Sequence, residues 1–496
     1  MNTALPSIEK DLSASFTDLQ WVIDAYTLTL AAVVLTAGSL ADRVGRRATF
    51  AGGLGIFALA SLAAGVAPDA TFLNISRAVQ GVGAAAMFAV SLALVAQEFA
   101  AGKERASAMG VYGATIGMAV AIGPLVGGAI TSGLGWRWVF FLNVPIGVAA
   151  IAVTFAKLRE SRDPGATRID WLGLATFSTA LLLLVLALLR GNDQGWGSPL
   201  IVSLLIAAAL MLAAFVAIER RVAEPMLPLG LFRRRAFTGV QLAAFAVPAS
   251  LFALFLYLTL YLQNYLGYSP LQAGLRYLPI TLAPFFVAPV AVALMARLRA
   301  RVMIATALTG VGVGLLLMSG LTSDSGWTAL LPGFIVAGVG VGLLNPVIAD
   351  VAVSVVPKER SGMAAGINDT FRQVGVAVGV AAWGAIFLGR GSTKISTLLA
   401  GTRPAGGTHT RQLLEAASDG RLHAALARAP QGAQALLETA TRQGFLTGLN
   451  AILVIGALVA FAGAVLALWL VREREIEREQ PDTLVAPETD LEMVAA

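Results

Sequence analysis

The chain has 496 residues, of which 57% are hydrophobic and 13% charged, whereas about 25% are charged in soluble domains. This composition excludes an ordinary soluble protein, and the absence of cysteine excludes disulfides, thiolate metal sites and cysteine catalysis. The net charge of +6 does not indicate nucleic-acid binding, because the basic residues lie in short segments between apolar runs, where they set membrane orientation.

Apolar runs of about 18 or more residues, the length that crosses a bilayer, predict thirteen membrane spans and an all-α fold. Every second connection is basic, and these connections with the early tail hold 22 of the 35 Lys and Arg residues. They are therefore predicted to be cytoplasmic. The spans start near Leu19, Ala48, Thr71, Ala106, Trp138, Ile169, Pro199, Ala236, Leu271, Val302, Thr328, Ser361 and Phe445.

The first residues, Asn2-Thr3-Ala4-Leu5-Pro6, resemble the outer end of helix 1 in the fourteen-helix drug:proton antiporters of the EmrB/QacA type. That family has Val-Asn-x-Ala-Leu-Pro here, and Met1 stands where the valine would be. We therefore expect a reading frame that starts upstream and encodes most of helix 1, with the family's acidic residue in it. The alternative is a protein of thirteen spans with an external N-terminus.

Charges inside predicted spans are costly and mark coupling or pathway sites by default. Asp24, in the first span, is the favoured proton carrier. Arg77, at a similar depth in the third span, lies in a run that resembles the family's helix 4 motif, which implies proton coupling; snorkelling to the outer interface is the alternative. We expect Arg77 to stabilise an ionised carboxylate until a conformational change separates them. Asp369 and Arg372 share a helix face and form either an internal ion pair or a further coupling site.

A compact charged turn, Gly38-Ser39-Leu40-Ala41-Asp42-Arg43-Val44-Gly45-Arg46-Arg47, separates the first two spans. It resembles the loop between helices 2 and 3 of the major facilitator superfamily. The resemblance implies a cytoplasmic gate in which Asp42 pairs with a neighbouring arginine and caps the helix that enters near Ser361. The gate residues are Gly38, Asp42, Arg43, Gly45, Arg46 and Arg47.

The span that starts near Ala106 is rich in glycine, which lets two helix backbones approach closely, and its proline predicts a bend. The pattern resembles the antiporter motif of drug exporters, although small-residue packing of the kind found in any transporter is the alternative. We expect larger side chains at Gly123 and Gly127 to be poorly tolerated. The motif residues are Gly113, Gly117, Gly123, Pro124, Gly127 and Gly128.

An internal repeat sets the architecture. Gly81-Val82-Gly83 and Gly338-Val339-Gly340 each precede a Lys-Glu-Arg turn at a similar spacing, and Phe334 takes the position of Arg77 in the second copy. Such repeats predict two bundles around a midplane cavity, the major facilitator fold. The expected plan is an N-terminal six-helix bundle with helix 1 truncated, two inserted central helices with a basic linker, a C-terminal six-helix bundle with a long external loop, and a disordered cytoplasmic tail. Their ranges are 1–160, 161–235, 236–472 with loop 389–444, and 473–496.

Four further polar residues are candidates for the substrate cavity: Gln80, Tyr257, Asn345 and Asn368. The sequence has no phosphate-binding Gly-Lys-Ser/Thr loop, so a proton gradient is the expected energy source. We expect no cofactor, metal, enzymatic activity or nucleic-acid partner.

These features together predict a monomeric antiporter in the cytoplasmic (inner) membrane that exports amphipathic drugs in exchange for protons. Its substrates are expected to be lipophilic cations or neutral amphiphiles. An uptake symporter of the same fold and a non-transporting membrane sensor are the alternatives. The glycine motif counts against the first, and the retained gate and coupling charges count against the second.

Overall fold

The computed structural model describes residues 1–98, 122–161, 170–222, 229–295, 297–355, 361–400, 410–418, 422–427 and 431–476, apart from a few isolated positions. Helices account for nearly all of these residues, and no strand occurs among them. In chain order they are α1 (Leu5–Leu12), α2 (Phe16–Val44), α3 (Arg46–Gly65), α4 (Ala70–Glu98), α5 (122–133), α6 (Trp138–Lys157), α7 (Trp171–Gln194), α8 (Pro199–Glu219), α9 (Arg235–Tyr265), α10 (Pro270–Met295), α11 (Ala300–Met318), α12 (Leu331–Ser354), α13 (Ser361–Leu399), α14 (Thr410–Ser418), α15 (Leu422–Leu426) and α16 (Gln431–Leu470).

Within the described ranges, ten helices are long and apolar enough to cross a bilayer. Every predicted span except the one near Ala106 starts on, or within two residues of, a described helix. The start near Ala106 lies outside the described residues. The chain is therefore a multi-pass membrane protein, as the apolar runs predicted.

Two local signals separate α1 from α2. Ser13 takes a left-handed conformation, with φ of 49°, and ends α1. Ser15 and Asp18 then form a capping box: the Ser15 hydroxyl accepts from the Asp18 amide at 3.2 Å, and the Asp18 carboxylate accepts from the Ser15 amide at 2.9 Å. This exchange satisfies two amides that would otherwise lack a partner at the start of α2.

The helices pack as two groups. In the N-terminal half, α2, α3 and α4 contact one another and α6 packs on α3. In the C-terminal half, α16 packs against α9, α11 and α13, and α12 packs against α10 and α11. The halves meet where α2 contacts α13, and α7 packs against both of these helices. Their shared apolar cluster comprises Leu28, Leu181, Val185, Leu189, Ala377 and Ala381. The first inserted helix thus covers the junction from one side, and α8 packs on it.

The internal repeat has a structural counterpart in its glycines. A Cβ on Gly83 would lie 2.7 Å from the Gly53 carbonyl oxygen of α3, and one on Gly340 would lie 2.6 Å from the Ala307 carbonyl oxygen of α11. In both copies the helix therefore contacts the backbone of the helix before it, which only glycine allows. Phe334, at the position of Arg77, is fully buried against Tyr277.

The segment predicted as the external loop 389–444 is largely helical. α13 continues to Leu399, α16 begins at Gln431, and α14 and α15 lie between them. A Cβ on Gly391 would lie 2.9 Å from the Gly444 carbonyl oxygen, so the two long helices stay paired beyond their apolar segments. Hydropathy located only those segments, because it does not measure pairing between polar helix ends.

The predicted disordered tail begins with an ordered turn. The Glu475 carboxylate accepts from the Ala236 amide at 2.8 Å, and the Glu473 carboxylate accepts from the Arg301 amide at 3.3 Å. These acids therefore interact with the first turns of α9 and α11, where a negative charge is favourable. Residues 477–496 lie outside the described part.

Candidate functional site

A polar cluster joins the two halves where α2, α9 and α13 meet. The Gln20 amide nitrogen donates to the Val380 carbonyl at 2.9 Å and to the Tyr257 hydroxyl at 3.1 Å, and that hydroxyl donates to the same carbonyl at 2.7 Å. Gly384 makes room for the Gln20 amide, which a Cβ at this position would overlap. We call Gln20, Tyr257, Val380 and Gly384 the outer junction. The predicted cavity residue Tyr257 is fully buried in it.

Asp24 lies one helical turn from Gln20 on the same face of α2. Its side chain is 0% exposed, and neither carboxylate oxygen has a hydrogen-bond partner in the described structure. It lies within electrostatic range of the Tyr257 hydroxyl. An ionised carboxylate in such a place costs several kcal/mol unless it is paired. The arrangement therefore suits a neutral acid.

Arg77 is the centre of a second polar network, inside the N-terminal half. Its Nε donates to the Val22 carbonyl at 2.9 Å, its Nη1 donates to the Gln80 side-chain oxygen at 2.5 Å, and its guanidinium lies 4.3 Å from the Tyr26 ring centroid. Gln80 in turn donates to the Ser61 hydroxyl at 2.6 Å. Arg77 is 9% exposed, so the network holds it inside the bundle instead of letting it reach the interface.

The expected pairing of Arg77 with Asp24 is absent from this structure. Val22 and Tyr26 share the face of α2 that meets Arg77, whereas Asp24 lies two residues from each, which is about 200° around the helix. The two charged groups therefore lie on opposite sides of α2. The sequence placed the two residues at a similar depth along their helices. It did not show on which side of α2 each side chain lies.

The C-terminal half holds the remaining predicted residues. The Asn368 amide donates to the Gln241 side-chain oxygen at 3.1 Å, which links α13 to α9. Arg372 donates to the Asn345 side-chain oxygen of α12 at 3.5 Å and lies within electrostatic range of Asp369. Asn368, Asp369 and Arg372 therefore lie along one stretch of α13, and Asn345 lies on the adjacent part of α12.

The last residues of the antiporter motif, which lie in α5, contact the start of α10 in the C-terminal half. A Cβ on Gly128 would lie 3.0 Å from the Leu271 Cα, and one on Gly274 would lie 2.5 Å from the Pro124 carbonyl oxygen, so α5 and α10 contact each other backbone to backbone. Gly127 approaches Thr3, whose hydroxyl oxygen would lie 3.1 Å from a Cβ there. The expectation for Gly123 is wrong, because a Cβ at this position would meet nothing within 4 Å. Gly113 and Gly117 lie outside the described residues.

At the predicted cytoplasmic turn, Gly45 has a φ of 124° and separates α2 from α3. The Glu160 carboxylate lies against it and accepts from the backbone amides of Arg47 at 3.0 Å and Ala48 at 3.1 Å. The Arg46 amide donates to the Ser161 carbonyl at 3.0 Å. Glu160 therefore caps the N-terminus of α3.

The remaining gate residues are less informative. Gly38 faces Ala89 of α4, with ordinary contact at 3.8 Å for an added Cβ. The side chains of Asp42 and Arg43 lie outside the described part of the structure, so their predicted contact with the helix near Ser361 stays a prediction.

Contacts between the halves also join their predicted external ends. Gln263 of α9 donates to the Thr3 carbonyl at 2.9 Å, and the Leu271 amide of α10 donates to the Ser132 hydroxyl at 3.0 Å. Asn264 contacts both Glu9 of α1 and the Ser418 carbonyl of α14. With the outer junction, these contacts close the side of the protein that is predicted to be external.

A polar contact within the N-terminal half lies beside this closed end. Asp11, after the first turns of α1, accepts from Arg137 and from the Trp136 indole nitrogen. The hydrogen bond from Arg137 lowers the pKa of the Asp11 carboxyl below its ordinary value.

Sequence reasoning missed several of these residues, among them Gln20, Ser61 and Glu160. These three have no charge inside a span and belong to no recognised motif, and each acts through a partner on another helix. The sequence held one signal for Gln20: it lies four residues before Asp24, a spacing that puts both side chains on the same face of a helix.

The chain matches the family model described as Major Facilitator Superfamily over residues 1–380. It is 40% identical to a puromycin resistance protein of Streptomyces alboniger over 77% of this chain and 76% of that protein. It is 31% identical to a tetracenomycin C resistance and export protein of Streptomyces glaucescens over 98% of this chain and 90% of that protein.

Among solved structures, a bacterial homologue of the human lysosomal transporter Spinster superposes with a TM-score of 0.59 at 16% identity. The superposition covers 97% of this chain and 95% of that one. This likeness shows the fold.

Proposed function

The chain belongs to the Major Facilitator Superfamily, and on that premise we propose that it is a proton-coupled antiporter that exports amphipathic antibiotics or similar toxic molecules across the cytoplasmic membrane. It is a transporter and not an enzyme. The observation that carries the proposal is its similarity, over most of its length, to two proteins named for antibiotic resistance. One of them is named for export as well.

Proton coupling is supported by the environment of Asp24. A carboxylic acid that is fully buried and unpaired in a closed state is neutral there, and it ionises when a conformational change admits water or a cation. Arg77 does not neutralise it, because its guanidinium contacts Val22, Gln80 and Tyr26. We propose that Arg77 positions α2 against α4, so that the Asp24 face keeps its orientation toward the C-terminal half.

The proposed substrate class follows from the same carboxylate. A lipophilic cation can compete with a proton for Asp24, and the aromatic side chains around the outer junction offer apolar surface. Phe16, Tyr257 and Phe387 lie with ring centroids 5.6 to 6.0 Å apart. Asp369, in the C-terminal half, is a second acidic group for a cation.

Transport in inverted membrane vesicles tests the proposal. We expect an imposed pH gradient, acidic inside, to drive uptake of ethidium, a fluorescent lipophilic cation, and a protonophore to abolish it. Asp24→Asn should remove the gradient-driven component. Glu438→Gln is the matched control, because this acid forms an exposed ion pair with Arg442 and should transport normally.

Two results would contradict the proposed mechanism: uptake that persists after the gradient has collapsed, or uptake that requires ATP or sodium. Transport restricted to anions would contradict the substrate class and leave the proton coupling intact.

A further inference from the structure

Ser61 of α3 lies at the centre of a hydrogen-bond network that crosses the N-terminal half, and it is 0% exposed. Its hydroxyl donates to the Phe57 carbonyl at 2.7 Å and accepts from the Gln80 amide at 2.6 Å and from the Asn143 amide at 3.4 Å. A hydroxyl has one hydrogen to donate and two lone pairs that accept. All three are therefore used, by one carbonyl of α3 and by one side chain each of α4 and α6.

Gln80 connects Ser61 to Arg77. Its side-chain nitrogen donates to the Ser61 hydroxyl, and its side-chain oxygen accepts from the Arg77 guanidinium at 2.5 Å. Arg77 donates in turn to the Val22 carbonyl of α2 and lies over the Tyr26 ring. Gln80 is 1% exposed, and both polar atoms of its amide are bonded inside the bundle. In this state Gln80 therefore acts on Arg77.

The two ends of this network fix the orientation of the Gln80 amide. A guanidinium has donors and no acceptor, so Arg77 requires the amide oxygen. The amide nitrogen then points to Ser61, whose oxygen is free to accept because its hydrogen is donated to the Phe57 carbonyl. Without the Ser61 oxygen, the buried amide nitrogen would lose this acceptor. Leaving a buried donor without an acceptor costs more free energy than the hydrogen bond itself contributes.

We propose that Ser61 is a positioning residue for Arg77: its hydroxyl oxygen holds the Gln80 amide in the orientation that accepts from the guanidinium. The inference rests on the proposed function, in which Arg77 positions α2 against α4, and it adds α3 as the helix that supports this contact. In a Ser61→Ala variant the amide nitrogen turns toward another acceptor, and the amide oxygen moves away from Arg77. The guanidinium then loses this acceptor and is held less firmly over Tyr26.

A second buried serine provides the matched control. Ser76 of α4 is 5% exposed and directly precedes Arg77, and its hydroxyl donates to the Phe72 carbonyl of its own helix at 2.8 Å. Ser76→Ala removes that local bond and leaves the Gln80 amide with both of its partners. Ser61→Ala and Ser76→Ala each remove one buried hydroxyl, and alanine favours a helix at either position. A difference between them therefore reports the link to Gln80.

Fluorine NMR of protein labelled with fluorotyrosine measures the position of Arg77. The ring centroid of Tyr26 lies 4.3 Å from the central carbon of the guanidinium. A cation over the ring face shifts the fluorine resonance, because its charge acts on the π-electrons of the ring. The signal that disappears in Tyr26→Phe assigns the resonance, and Arg77→Leu gives its position without the guanidinium. The spectra are recorded in nanodiscs, without substrate or pH gradient.

We expect Ser61→Ala to shift the Tyr26 resonance toward its position in Arg77→Leu, and Ser76→Ala to leave it in place. In the Arg77→Leu background, Ser61→Ala should cause no further shift, because Ser61 acts through the arginine. Gln80→Met breaks the same network from α4 and should shift the resonance in the same direction. In the vesicle assay, Ser61→Ala should lower gradient-driven ethidium uptake about tenfold, the factor that corresponds to one hydrogen bond to a charged group. Ser76→Ala should transport normally.

The proposal is overturned if the Tyr26 resonance stays in place in Ser61→Ala, or if Ser61→Ala shifts it equally in the Arg77→Leu background, which would show that Ser61 acts by packing alone. An unshifted resonance in Gln80→Met overturns it as well, whatever the yield of Ser61→Ala. These results do not depend on the proposed function, because the spectra use neither substrate nor gradient. The expected shifts together with transport that needs no proton gradient would instead contradict the proposed function alone.

Discussion

Replacing Gly128 with alanine is expected to weaken closure of the external side. Gly128 lies where α5 crosses the start of α10, and an added Cβ would overlap the carbonyl oxygen of Pro270 and lie 3.0 Å from the Pro270 carbonyl carbon and the Leu271 Cα. All of these atoms are backbone, so no side chain can move aside. The reciprocal contact, Gly274 against Pro124, is equally close.

The structure gives the size of the effect. Non-bonded carbon atoms are best placed about 3.5–4.0 Å apart, so the two helices must separate by at least about 0.5–1 Å. That movement stretches the 3.0 Å hydrogen bond from the Leu271 amide to Ser132 toward the limit at which such bonds fail. Overpacking of this kind costs about 1–3 kcal/mol. The closed state should therefore lose about 5- to 150-fold in population relative to the open one.

Thiol labelling from outside the cell measures this shift. Thr3 is 1% exposed, and its carbonyl accepts from Gln263 across the halves. Thr3→Cys therefore provides a thiol that is hidden while the external side is closed. We expect Gly128→Ala to raise its rate of reaction with a membrane-impermeant maleimide at least fivefold. Gly123→Ala is the matched control and should leave the rate unchanged, because nothing lies within 4 Å of a Cβ there.

An unchanged labelling rate in Gly128→Ala would show that the contact between α5 and α10 does not limit opening. An equal increase in Gly123→Ala would show that the effect comes from the helix and not from the crossing. Either result would contradict the role of the Gly128 crossing in closure.

Three further predictions use other contacts. Arg77→Ala should abolish transport while the protein still reaches the membrane at near-normal levels, as immunoblotting of membranes beside the vesicle assay would show, and Gln80→Ala should cause a smaller loss because it removes one contact of the arginine. Gly384→Val should displace the Gln20 amide and raise the rate at which Thr3→Cys reacts with the impermeant maleimide, which an unchanged rate would contradict. The Asp11 carboxyl has a lowered pKa in the folded protein, so its contribution to stability is present above the ordinary pKa of 3.8 and is lost as pH falls through the folded-state pKa. Thermal unfolding in detergent should show this loss of stability at acid pH in the parent protein and not in Asp11→Asn.

The sequence alone determined the membrane spans, the two inserted helices and the internal repeat. Hydropathy and basic loops are local properties, and a bilayer imposes one length on every helix that crosses it. The glycines of the internal repeat also correspond in the structure, since Gly83 and Gly340 each lie against the backbone of the preceding helix. The family resemblance was equally local, and the comparisons confirm it.

Which of these side chains meet depends on how the helices pack. The spacing of Asp24 and Arg77 from their helix ends put them at one depth, but the rotation of α2 directs Asp24 to the C-terminal half and leaves Arg77 to Val22 and Tyr26. The packing of the helices also places Glu160 against the start of α3 and leaves open space beside Gly123. The physical reason is that a helix has a fixed period but no preferred neighbour: which of its faces meets which helix depends on the packing of residues hundreds of positions apart.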